Sequence, residues 1–222
     1  MVRICVSIPA TITAATTGVI RGLTKPDLIE LRLDYAAERL DLRKLRESTS
    51  IPLVGTARVS SHGGRWSGGE GERQRLLLSA VRAGFDYVDV EADSVSLGEL
   101  IEKAHGKGAL VIVSRHYLDR TPALSEILTS HSEAKGAGAD IVKIVGTAVS
   151  PSDNLFCLEY LAREPGNVSF AMGALGVPSR VLSPLMGGAF TYASAGEESS
   201  VAPGQLTLAS LREAYRLMGV AS

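Results

Sequence analysis

The sequence predicts a single-domain α/β fold, a (β/α)8 barrel of the TIM type. Short apolar runs alternate with longer segments of helical period about eight times along the chain. The 222 residues contain no linker, charge block or low-complexity tract that would divide them. An open doubly wound sheet would want a glycine-rich phosphate turn after its first strand, whereas Ile8 is followed by Pro-Ala-Thr-Ile-Thr-Ala-Ala.

Taken in order, the predicted strands are residues 3–8, 28–33, 52–58, 87–91, 110–114, 140–145, 168–172 and 190–193, each a short apolar run. Helices are predicted over residues 70–83, 96–105, 122–135, 151–163 and 205–218, where apolar residues recur at helical spacing. Gly106 and Gly108 read as stops after His105, and Gly84 and Gly219 follow the last turns of their helices. Pro122 and Pro151 suit first helical turns. His105 then reads as a helix-end cation. The two glycine-rich stretches, Gly63–Gly71 and Met186–Ala189, lack the spacing of a phosphate-binding loop and read as a flexible loop and a tight turn.

A net charge of −1 argues against nucleic acid or an anionic membrane as the main partner. No apolar run is long enough to span a bilayer, and the N-terminus opens directly into a strand, so a soluble, cytoplasmic protein is expected. Cys5 and Cys157 lie far apart and read as reduced, buried thiols. With the four histidines scattered as well, no metal site is expected.

Active sites of such barrels lie at the C-terminal ends of the strands, and polar residues are frequent there. Lys143, in Gly138-Ala-Asp-Ile-Val-Lys-Ile-Val-Gly146, is a lone ammonium inside an apolar strand; it must be neutralised, paired or used. Desolvation favours the neutral amine and brings a lysine toward a pKa of about 7–8, the state that attacks a ketone to form a Schiff base. His116 ends the fifth strand, one strand away, and reads as a general acid/base. In Ile29-Glu-Leu-Arg-Leu-Asp34, Glu30 and Arg32 share one face, and an inward-facing charged pair needs a ligand or each other. Arg58 ends the third strand and Arg180 follows the seventh. Three arginines converging on one cavity predict an anionic ligand, and without a phosphate cradle a small carboxylate.

These pieces resemble the type I 3-dehydroquinate dehydratases of the shikimate pathway. The matching stretches are Ile29–Asp34, Arg58 ahead of Gly63-Gly64, Ser114-Arg-His-Tyr117 with Thr121-Pro122, Ala139-Asp-Ile-Val-Lys143, Phe170-Ala-Met-Gly173 with Ser179-Arg180, and Ala202-Pro-Gly-Gln205. They span nearly the whole chain in the family's order. The resemblance implies a cofactor-free hydro-lyase, commonly a homodimer, converting 3-dehydroquinate to 3-dehydroshikimate. It assigns the Schiff base to Lys143, proton transfer to His116 and the substrate carboxylate to Arg180 with Gln205. Glu30, Arg32 and Arg58 would hold ring hydroxyls, with Ser7 adding a contact.

Three departures stand out. His62 stands where the family usually carries a glutamate that orients the catalytic histidine; it reads either as its replacement, hydrogen-bonded to His116 in a slower enzyme or one with a shifted pH optimum, or as a surface-loop histidine without a role. Val201 stands where relatives carry a serine or threonine that touches the substrate, removing a contact worth about 1 kcal/mol. Ala195–Ser200 is slightly long and reads as a lid or a plain surface loop. Glu91 is expected either to support Lys143 or His116 or to be a buried structural carboxylate. Two other readings fit the same residues: another class I Schiff-base lyase such as an aldolase, and a binding-only relative that has lost turnover.

Overall fold

A computed structural model describes residues 2–220 and shows the predicted barrel. Its elements run β1 (Ile4–Pro9), α1 (Thr13–Gly22), β2 (Leu28–Arg32), α2 (Leu42–Glu47), β3 (Leu53–Thr56), α3 (Glu70–Arg82), β4 (Tyr87–Glu91) and α4 (Leu97–His105). The second half continues with β5 (Leu110–His116), α5 (Leu124–Gly136), β6 (Ile141–Thr147), α6 (Asp153–Arg163), β7 (Val168–Met172), α7 (Val177–Leu182), β8 (Thr191–Ser194) and α8 (Leu208–Leu217). All strands are parallel, in the order β7-β6-β5-β4-β3-β2-β1-β8. Between β7 and β8 side chains take over from a ladder, with the Phe170 and Tyr192 rings 6.0 Å apart.

Alternation along each strand splits the core into two layers. One layer lies between strands and helices and includes Val6, Leu31, Val88, Val113 and Ile144. The other fills the barrel interior with Cys5, Leu28, Val54, Ile112, Val145, Phe170 and Tyr192. The residues two positions after Cys5, Leu28, Val54 and Ile112 are Ser7, Glu30, Thr56 and Ser114. On these four strands the inward face thus turns from apolar to polar within one step, which gathers polar side chains at the upper end of the barrel.

The outer helices present apolar stripes to this scaffold, as in α8, where Leu208, Leu211 and Tyr215 are buried. Thr207 caps that helix by accepting from Ser210 N, and Asp41 caps α2 by accepting from Lys44 N, contacts typically worth about 1 kcal/mol each. His105 sits in the last turn of α4, with Nε2 2.8 Å from Asp140 Oδ2. Both cysteines are buried and free.

Several predicted boundaries move. Pro122 and Pro151 lie before α5 and α6 and outside their first turns. Strand β3 stops at Thr56, leaving Arg58 just beyond it, while β5 and β6 continue through His116 and Thr147. Helices α1, α2 and α7 lie outside the predicted set. The first is rich in β-branched threonine and valine, and the other two are only six residues long, too short for a period to show.

Candidate active site

All eight residues singled out from the sequence, Ser7, Glu30, Arg32, Arg58, His116, Lys143, Arg180 and Gln205, line one cavity of about 340 Å³ at the upper end of the barrel. His62 and Val201 line it too.

Lys143 is buried, and its amine is paired as well as desolvated. Nζ lies 3.0 Å from Asp89 Oδ2, 3.6 Å from Glu30 Oε1 and 4.1 Å above the centre of the Tyr192 ring. Asp89 is the hub: its Oδ1 sits 2.7 Å from Arg58 and accepts the Ser114 hydroxyl at 2.6 Å. Burial alone would raise the Asp89 carboxyl, but Arg58, Lys143 and the Ser114 hydroxyl outweigh it and hold the group well below the usual carboxylate range.

Glu30 accepts from Ser7 Oγ at 2.5 Å and from Thr56 Oγ1 at 2.9 Å. Its strand neighbour Arg32 turns away to Asp34, with Nε and Nη2 at 2.9 and 2.7 Å from the two carboxylate oxygens. The inward pair is therefore satisfied by other partners and not by each other. Glu91 serves neither Lys143 nor His116. It accepts from Arg58 at 3.0 Å and from Arg73, which is anchored in turn by Glu70 on α3.

Among the described residues the buried charges are Arg32, Arg58, Arg73, Lys143 and Arg180 against Glu30, Asp34, Asp89 and Glu91. Each carboxylate has a cation beside it, and the cation left over is Arg180. Its guanidinium donates to Pro203 O at 3.0 Å and lies 4.3 Å over the Phe170 ring, while Nε is buried without a partner. Burial pulls its pKa down to about 10. A buried, uncompensated guanidinium is costly, and an anionic ligand removes the cost. The expectation of three ligand-binding arginines is thereby sharpened, since Arg32 and Arg58 already have carboxylates and Arg180 alone is free for one from outside.

The carbonyl that Arg180 touches is placed by a close backbone approach. Gly204 has φ +71°, and a Cβ there would lie 2.3 Å from Gly173 O; Gly173 N donates to Pro203 O. Only glycine fits this crossing. Gln205 sits next to it with Oε1 accepting from Val201 N at 3.0 Å.

His116 lies beyond Ser114 on β5, and its Nδ1 is buried without a partner. Burial, with Arg58 and Lys143 adding and Asp89 opposing, depresses its pKa well below the ordinary histidine value. His62, in the turn Ser60–His62, comes close edge-on with ring centres 6.1 Å apart, but makes no hydrogen bond to His116.

Asp89 and Tyr192 are the residues that sequence reasoning missed. Asp89 had a legible signal: it lies two residues before Glu91 on a predicted strand, so both share the inward face. Nothing in the sequence pointed to Tyr192, because its ring meets Lys143 only across the β7–β8 gap.

Residues 4–222 match the type I 3-dehydroquinase family. A 3-dehydroquinate dehydratase of Methanosarcina barkeri is 38% identical over 208 residues, covering 86% of this chain and 85% of the relative. One from Dehalococcoides mccartyi is 38% identical, covering 84% of each chain. The crystal structure of 3-dehydroquinate dehydratase from Geobacillus kaustophilus superposes with a TM-score of 0.89 at 28% identity, covering 99% of this chain and 91% of that one. A type I enzyme from Clostridium difficile, solved with covalent modified comenic acid, gives a TM-score of 0.85 at 25% identity, covering 97% and 91%. With its lysine, histidine and unpaired arginine gathered in one barrel cavity, the chain belongs to the type I 3-dehydroquinase family.

Proposed function

We propose that Lys143 is the amine, and His116 the proton carrier, in the dehydration of 3-dehydroquinate to 3-dehydroshikimate that this family performs. The observation that carries the assignment is the charge pattern of the cavity: a buried amine paired with Asp89 and an unpaired Arg180 line the same space. Arg180 takes the substrate carboxylate and thereby fixes where the ring ketone lies relative to Lys143. Gln205 lies beside it. Glu30, Arg32, Arg58 and Ser7 offer polar groups to the ring hydroxyls.

Lys143 passes its ammonium proton to His116 and attacks the ketone carbon, and the carbinolamine takes that proton as it loses its oxygen as water to give a protonated imine. That imine is an electron sink, so His116 takes the proton from the neighbouring carbon and leaves an enamine. The enamine expels the β-hydroxyl, which departs as water with the proton that His116 held. Hydrolysis of the remaining imine takes up one water and frees Lys143, so one water is lost overall. Proton transfer of this kind contributes about 10²–10⁴-fold. The low basicity of His116 between Arg58 and Lys143 keeps it neutral near pH 7 and ready to accept. Asp89 holds the Lys143 amine, and the Tyr192 face gives the cationic imine a favourable surface.

A homodimer and a cytoplasmic location belong to the same proposal. Exposed Leu155 and Phe156 on α6, with Leu185 and Met186 on the adjoining turn, support a self-contact; sedimentation at micromolar concentration checks it. No helix among the described residues is long and apolar enough to cross a membrane.

The test is borohydride reduction in the presence of 3-dehydroquinate, read by intact mass and peptide mapping. An adduct on the peptide containing Lys143, absent in Lys143→Ala, is expected. A folded wild-type protein that turns over substrate without any adduct would overturn the assignment.

A further inference from the structure

The mechanism leaves one pair of groups unused, at the edge of the cavity. His62 Nε2 lies 3.2 Å from Asp93 Oδ2. The His62 side chain is about nine-tenths buried, whereas Asp93 is exposed. Nδ1 of His62 and Nδ1 of His116 are both buried, and neither has a hydrogen-bond partner. A carboxylate only accepts, so the Asp93 contact puts the proton of neutral His62 on Nε2 and leaves Nδ1 as a bare acceptor. The two rings meet edge-to-face, 6.1 Å apart at 75°. Rings joined by an N–H···N bond have centres about 5 Å apart, a bond length plus two ring radii. The two rings therefore stand about 1 Å farther apart than such a bond would place them.

We infer that His62 and Asp93 act together as the positioning pair for His116. Asp93 sets the tautomer of His62, and His62 Nδ1 accepts the Nδ1–H of His116 when substrate fills the cavity. An acceptor there stabilises the imidazolium and offsets part of what burial, Arg58 and Lys143 take from the basicity of His116. Asp89 is the other anion facing His116, and Arg58 and Lys143 are the facing cations. The arrangement moves the negative charge one residue outward, from the protein interior to its surface. Where a glutamate at position 62 would act directly, this chain uses an imidazole backed by an exposed carboxylate. The inference rests on the assignment of His116 as the proton carrier.

The experiment compares pH profiles of kcat and kcat/KM for wild type, Asp93→Asn, His62→Gln, His62→Glu and the double variant His62→Glu/Asp93→Asn. Asp93→Asn is expected to lower kcat about three- to tenfold, leave KM within about twofold and move the acid limb to lower pH. His62→Glu is expected to restore or exceed wild-type kcat and to make Asp93 dispensable. Nitrogen-15 spectra should show the Nε2–H tautomer of His62 in wild type and a mixture in Asp93→Asn. An Asp93→Asn enzyme with an unchanged profile would overturn the inference. So would the same loss in the wild-type and His62→Glu backgrounds, because a merely structural loop contact persists in both. His116→Ala with unimpaired turnover would instead sink the assignment of His116 itself.

Discussion

Replacing Arg180 by methionine should stabilise the fold and disable substrate binding at the same time. Arg180 is about 1% exposed, has no carboxylate beside it and has its pKa pulled down to about 10 by burial. At about 1.4 kcal/mol per pKa unit, the native fold bears about 3 kcal/mol for holding this cation. Methionine relieves that cost, with a flexible side chain able to fill the space, and loses the hydrogen bond to Pro203 O, worth about 1 kcal/mol, together with the contact over Phe170, also about 1 kcal/mol. The balance is a gain of about 1 kcal/mol, which raises Tm by about 2–4 °C for a chain of this size. Binding moves the other way. Losing a buried charge-assisted fork to the substrate carboxylate costs about 2–5 kcal/mol, so kcat/KM should fall at least about thirtyfold. Thermal melts of ligand-free protein and steady-state kinetics on the same preparations read both effects. A variant less stable than wild type, or one whose kcat/KM is unchanged, would refute the idea that Arg180 is an uncompensated cation held for a carboxylate.

Other consequences are as direct. Val201→Ser adds a hydroxyl to the cavity beside Gln205 and should lower KM about threefold to tenfold with little change in kcat; a higher KM would count against a substrate contact there. Gly204→Ala should destabilise the protein by at least about 2 kcal/mol and impair binding through Arg180, because a Cβ at φ +71° meets Gly173 O; calorimetry and KM report the two effects. Stability should fall as pH drops below about 6.5, because the buried His116 has its folded pKa below the unfolded value and the unfolded chain takes up more protons there. Asp89, also depressed on folding, extends the loss below pH about 4. Denaturant titrations across this range check the sign, and a His116→Gln variant should reduce the upper part of the slope, to which His131, also lowered by burial, contributes the rest.

Much of the site was legible in the chain. Several strands turn polar where they leave the barrel interior, so Glu30 and His116 could be placed from period-two alternation and their position near a strand end, while Lys143 stood out as a lone ammonium in an apolar strand. Short elements escaped for the same physical reason that long ones were found. A period needs two or more turns to show, and α2 and α7 have six residues each. Partner choice was also beyond the sequence. Glu30 and Arg32 share a strand face, yet Arg32 reaches forward to Asp34 and Glu30 receives Ser7 and Thr56 from the flanking strands. Asp89 carries the signal of an inward strand residue, but its role as the partner of both Lys143 and Arg58 depends on the order of strands around the barrel.

By itself, then, the sequence determined the barrel, the polar residues that line its cavity and the end of the barrel at which they gather, because hydrophobic period and strand alternation are local properties of the chain. Only the tertiary structure decided which charge remains unpaired and which histidine leans on which carboxylate. Those outcomes depend on distances of a few ångströms between side chains from different strands and loops. Low-dielectric burial then converts such small differences in distance into large differences in free energy.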